Sequence, residues 1–158
     1  MLTLEIDIID INTFLQHAQL EKQVRITSIS PTDGIGIEVD IGALAELKGQ
    51  KYVPAIKGFL YVEKIQDSQI SIRLDKLGAV NKWVPDALVR SGAKMLLDIP
   101  WIKRHTIGFD PVAGFIKIDS SSSVVILQNQ LRKKLDIALP IGFQEIRCLE
   151  NGIFIAAE

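Results

Sequence analysis

The residues able to do acid–base, nucleophilic or metal chemistry are few and scattered. The chain has two histidines, His17 and His105, and one cysteine, Cys148. The histidines lie far apart, and neither stands in an HExxH or cysteine-containing pattern, so their spacing offers no metal site. Each reads as a surface or helix-end histidine. Ser120 to Ser123 form a run, but no G-x-S-x-G surrounds them, and serines ahead of an apolar helix are natural N-caps. Gly34 and Gly36 make a G-x-G without its third glycine, inside a hairpin, which is the wrong context for a dinucleotide phosphate. Glu38, Asp40, Asp75 and Asp119 fall at strand positions that face water, so a glycosidase-type carboxylate pair cannot be argued. Arg132, Lys133 and Lys134 read as the solvated C-terminal end of a helix, where cations are favoured, ahead of an anion site. No catalytic residue, metal ligand or cofactor is expected, and the chain reads as a non-enzyme.

What the chain has in surplus is apolar side chains, and they gather around one stretch, Asn81 to Arg104. Pro85 suits a first helical turn, where its missing N–H costs nothing, and Asp86 follows where the helix dipole favours a negative charge. Val84, Leu88, Met95, Leu96 and Ile99 fall near one helical face. Pro100 ends the run, because the residue before a proline avoids helical geometry. The spacing predicts a helix over about residues 85–98. Two readings stand. The helix simply lies on a sheet, or its small residues Ala87, Ser91, Gly92 and Ala93 and its soft Met95 leave space for a ligand between helix and sheet. Trp83, Leu88, Met95 and Trp101 are then the candidate ligand-lining residues. Trp83 and Trp101 bracket the helix, and Lys103, Arg104 and His105 follow, which also suits a membrane interface. The stretch is too short and too charged to span a bilayer.

Composition narrows the classes. At 158 residues a single domain with a real core is expected. Lys plus Arg is 18 and Asp plus Glu 19, a net charge of −1. That balance argues against nucleic acid as the main partner. The apolar fraction of 47% is ordinary, but the mean hydropathy of +0.23 is high. Either the core is generous, or apolar surface meets a ligand or a second subunit. Cys148 sits at an apolar strand position and reads as a buried, inert thiol. The chain begins with alternating residues and no basic or continuously apolar segment, so a cytoplasmic location is expected.

The elements that must position this stretch are short alternating strands. Leu2, Leu4, Ile6 and Ile8 alternate with Thr3, Glu5 and Asp7. Asp10 or Asn12 can cap a short helix over about residues 12–20. Val24 to Ser30 and Ile35 to Ile41 flank an Asp33–Gly34 turn and make a hairpin. Residues 42–55 read as a loop or broken edge, with Ala43 to Leu47 able to form one turn of helix. A second hairpin has strands at about 57–65 and from Ile70 to Asp75, turning through Gln66–Gln69. Thr106 to Phe109 and Phe115 to Ile118 follow, then a helix carrying Val124 to Leu135. A last hairpin turns at Asn151–Gly152. Two stretches, about residues 2–41 and 115–157, share an order of apolar residue, Asp, helix, strand, Gly turn and strand, which predicts a pseudo-repeat on either side of the central helix.

Trp83–Val84–Pro85, the late Leu139–Pro140–Ile141–Gly142–Phe143, Glu145–Ile146 and Asn151–Gly152–Ile153, set among such hairpins, resemble the tubular lipid-binding (TULIP) superfamily, in particular its small bacterial LmeA-like lipid-binding proteins. The resemblance covers about residues 20–156. It implies a strongly curved, mainly antiparallel sheet wrapped on the central helix, with an apolar groove for acyl chains between them. The expected class is therefore α+β, about eight strands with two or three helices. The expected function is non-enzymatic binding of a lipid or fatty-acyl ligand. The alternatives are an interaction module that forms homo-oligomers through its apolar face, and peripheral attachment to a membrane surface.

Overall fold

The structure is a computed structural model that describes residues 2–44, 53–66, 69–119 and 143–157. Residues 67–68 of the expected Gln66–Gln69 turn, residues 45–52 of the expected loop over 42–55, and the helix expected over Val124 to Leu135 lie outside these residues, as does the middle of the second half of the pseudo-repeat.

Strand β1 (Leu2–Asp7) runs directly into helix α1 (Ile8–His17). The helix starts earlier than the Asp10 or Asn12 caps predict, because Asp7 takes that role. Its backbone is extended (φ −85°, ψ 167°) and its carboxylate accepts from the Asp10 N–H at 2.7 Å, the geometry of an N-cap. Asn12, freed from capping, reaches across to the next strand. Its amide donates to the Ile26 carbonyl at 3.3 Å and accepts from the Ile26 N–H at 3.4 Å.

The first hairpin forms where the alternation and Asp33–Gly34 place it, as β2 (Val24–Ser30) and β3 (Gly34–Asp40). Gly34 has φ +80°, and a Cβ there would run into the Leu60 carbonyl oxygen, so the turn needs glycine for conformation and for space. A single turn, α2 (Ile41–Leu44), follows, with the Ala43 N–H held by the Asp40 carboxylate at 3.1 Å.

The long hairpin of β4 (Ala55–Gln66) and β5 (Gln69–Ala79) extends past the predicted end at Asp75. The alternation breaks there because the strand bulges. Phe59 pairs with Asp75 but Lys57 with Gly78, which leaves one extra residue on β5. Helix α3 (Asp86–Met95), a 3₁₀ turn at Leu96–Asp98 and the short helix α4 (Pro100–His105) connect to β6 (Thr106–Asp110) and β7 (Phe115–Asp119). The last hairpin is β8 (Phe143–Leu149) and β9 (Gly152–Ala157). His17 and His105 are both the final residues of their helices.

Every strand pairing among the described residues is antiparallel, and the class is α+β. Where one sheet of about eight strands was expected, the nine described strands form two sheets: β2-β3-β4-β5-β7-β6 and β1-β9-β8. The two ends of the chain pair with each other, so β1 and the last hairpin make their own sheet. Asn151, at φ +59° in the turn of that hairpin, ties it down: its N–H donates to the Ile29 carbonyl at 2.9 Å and its carbonyl accepts from the Ile8 N–H at 2.8 Å. In the large sheet β7, not β6, lies beside β5. The helical excursion between β5 and β6 is long enough to carry the chain past the inner position to the edge. The core gathers Val39, Ile41, Ile56 and Ala79 against Val89 and Ala93 of α3.

Candidate apolar cleft under the central helix

The helix lies within the predicted span, with one change at each end. Pro85 stands just before the first turn, extended at φ −63° and ψ 147°. At the other end the break falls on Ile99, extended at ψ 118°, as the residue ahead of a proline must be. Pro100 then opens a second helix at its first position, where a missing N–H is harmless.

The buried face differs from the one read through Leu88. Val89 is 2% and Ala93 0% exposed, Gly92 is buried and Leu96 half-buried, whereas Leu88 is 44% exposed. Val89, Gly92, Ala93 and Leu96 stand at i, i+3, i+4 and i+7, a full helical stripe. Small side chains occupy the stripe because they let the helix approach the strands closely. A Cβ on Gly92 would already touch Pro54 at 3.5 Å and Ile41 at 3.6 Å. The small residues thus bring helix and sheet together more than they leave room between them.

Some room remains farther along. Ala93 and Leu96 roof a cleft whose floor is Ile37 and Val39 of β3, Ile56 and Leu60 of β4, Leu74 and Leu77 of β5, Phe109 of β6 and Ile116 of β7. The hollow opens at Gly58, which pairs with Ile37 in the β3–β4 register and brings no side chain of its own. Among the described residues, Lys57 is the sole charged one in the wall. The volume is about 110 Å³, below the roughly 300 Å³ at which drug-sized ligands are usually enclosed.

The four candidate lining residues are dispersed. Met95 is half-buried and packs against the core cluster. Trp83 is 83% exposed in the turn before α3, its ring 5.9 Å from the Lys82 ammonium. Leu88 points away from the cleft wall on the outer part of α3. Trp101 belongs to α4, and its side chain lies outside the described residues. The residues that do line the cleft are inward strand positions. Alternation marked Ile37 and Val39 as one face, but only strand register brings Leu60, Leu74, Phe109 and Ile116 to the same hollow.

Apart from Lys57, the described lining of the cleft is apolar, which suits keeping water from hydrocarbon. Among the described residues no group of His, Cys, Asp and Glu could hold a metal ion, and no helix is long and apolar enough to cross a membrane. Cys148 is buried beside a gap of about 270 Å³ between β4 and β8, and burial pushes its thiol pKa up. Its burial agrees with the apolar strand position it holds in the sequence. Compared with known proteins, the chain matches no family model, no curated protein and no solved structure.

Proposed function

We propose that this protein is a non-enzymatic carrier or sensor of a lipid or other apolar ligand, held between the large sheet and α3 in the manner of a tubular lipid-binding protein. The single observation that supports the reading is the apolar cleft roofed by Ala93 and Leu96. Shape and burial do the work, at about 0.8 kcal/mol per CH₂ removed from water. A run of about four methylenes would contribute about 3 kcal/mol, short of the roughly 4 kcal/mol that corresponds to millimolar binding. The rest of the ligand therefore lies outside the cleft proper. Native mass spectrometry of protein purified from cells, with titration of a fluorescent fatty acid, tests the proposal. A retained lipid and saturable binding that Leu96→Trp weakens are expected. No retained lipid and no saturable binding by the wild-type chain would remove it.

A second reading rests on a different surface. Ile9 is 71%, Phe14 67% and Leu4 51% exposed, large apolar side chains in contact with solvent that suit self-association or a protein partner. Sedimentation showing a concentration-independent dimer that Phe14→Ser dissociates would favour it. A third reading, contact with a membrane surface, rests on exposed Trp83 beside Lys82. Liposome flotation unchanged by Trp83→Ala would eliminate it.

A further inference from the structure

Among the described residues, four strands stand at the outer edges of the two sheets: β2 and β6 in the large one, β1 and β8 in the small one. An outer edge carries unpaired N–H and C=O groups and is a template for another strand unless something blunts it. Three of the four are blunted. On β2 the Asn12 amide takes both the N–H and the C=O of Ile26. Strand β6 is only five residues long, and its register against β7 shifts between Thr106 and Gly108. Strand β8 carries a shift between Phe143 and Glu145. No such device protects β1. It pairs with β9 in unbroken register from Leu2–Ala157 to Asp7–Gly152, and LTLEID contains neither Pro nor Lys.

The ladder fixes which groups of β1 face outward. Ile8 continues the register onto Asn151, and its N–H donates to the Asn151 carbonyl at 2.8 Å. Inward and outward amides alternate along an antiparallel strand. Leu4 and Ile6 therefore turn their N–H and C=O toward β9, and Thr3 and Glu5 turn theirs away from it. Thr3, Leu4 and Glu5 are all exposed, Leu4 at 51%. Asp7 turns outward too, but it caps α1 and the chain leaves the strand there. The open edge is thus residues 3–5, centred on Leu4.

We propose that the strand completing this edge is β1 of a second copy of the chain, antiparallel about a two-fold axis at Leu4. In that register Thr3 stands opposite the partner's Glu5, and each such pair exchanges both backbone hydrogen bonds. Leu4 meets the partner's Leu4 at the site between those bonds, where opposed Cα atoms come within about 4.5 Å. The row Leu4–Ile155–Ile146 within one copy then continues into the same row of the other. Other centres fit worse. A pairing centred on Glu5 sets two carboxylates directly opposite each other. One centred on Thr3 carries Glu5 past the start of the partner's strand. Self-complementarity at one register is what a two-fold contact requires and what an unrelated strand would not. The inference is independent of the apolar ligand. It rests on the self-association reading and gives it a contact, β1 in place of Phe14.

Sedimentation equilibrium of the intact chain over a range of concentrations tests it. The wild type is expected to dimerise. Leu4→Lys, which opposes two ammonium groups at the axis, should weaken the dimer about 10-fold or more. Thr3→Pro, which removes an outward donor and no bond to β9, should act in the same direction. Phe14→Ser should leave the dimer unchanged, and circular dichroism of all three should match the wild type. Cross-linking reads the register. In a Cys148→Ala background with oxidised glutathione, Leu4→Cys should form a disulfide between copies. Glu5→Cys should not, because its two positions lie about 8 Å apart on the diagonal, beyond disulfide reach. Should Leu4→Lys or Thr3→Pro unfold, the cross-link decides: no Leu4→Cys disulfide, or equal cross-linking through Glu5→Cys, overturns the proposal. If Phe14→Ser dissociates the dimer while Leu4→Lys and Thr3→Pro do not, the β1 contact is wrong and self-association stands. A wild type that is monomeric at every concentration removes both.

Discussion

Helices α1 and α3 are the same length, ten residues each, yet they meet the sheets in opposite ways. The α3 sequence is the more polar, DALVRSGAKM, and it buries Val89, Gly92 and Ala93. The α1 sequence, IIDINTFLQH, is richer in large apolar residues and buries none of them. Apolar content therefore does not set burial here. Close approach does: α3 presents a stripe of small residues with one Val to the strands, while α1 presents bulk and is held to β2 through the Asn12 amide.

The sharpest way to break this contrast is to remove the residue under α3. Ile41 is fully buried against Val89 and Ala93, so Ile41→Ala should cost about 2–5 kcal/mol in urea unfolding. Filling the same contact from the other side, Ala93→Leu should cost about 1–3 kcal/mol, because Ala93 is 0% exposed and the strands lie directly beneath. On α1 the expected sizes are smaller. Asn12→Ala should cost about 1 kcal/mol, since both bonds to Ile26 are long, and should raise hydrogen exchange across α1 before the large sheet responds. Phe14→Ser, at a residue 67% exposed, should change stability by under about 0.5 kcal/mol. A loss much greater than that would mean that α1 is covered in solution, which would strengthen the interaction reading.

Cys148 adds a pH-dependent comparison between the two sheets. Its folded pKa is raised by burial, so the unfolded chain loses the thiol proton first. The stability due to the neutral thiol is then complete below the unfolded pKa of about 8.5 and falls as pH rises above it. Cys148→Ala should flatten the alkaline limb of the stability profile. An unchanged limb would show that the thiol is hydrated in the folded protein.

The hairpins were legible because their grammar is local. Asp33–Gly34 and Asn151–Gly152 name their turns, and the flanking isoleucines alternate with period two. The central helix was legible from Pro85, Asp86 and the restriction ahead of Pro100. Its buried face was not, since Leu88 and Val89 are adjacent apolar residues and period alone does not choose between them. The α1 cap was missed for a related reason. Asp7, Asp10 and Asn12 are all good caps, and only the extended backbone at Asp7 decides among them. The bulge at Lys76 left just a broken alternation after Asp75.

The chain by itself thus determined a mainly antiparallel α+β protein with a helix after Pro85, because turns, caps and periodicity act over a few residues. Tertiary structure alone decided that nine described strands divide into two sheets, that β7 sits inside β6, and that Leu60, Leu74, Phe109 and Ile116 line one hollow. Those outcomes depend on register and on contacts between segments distant in sequence, whose energies arise only when the segments have already met.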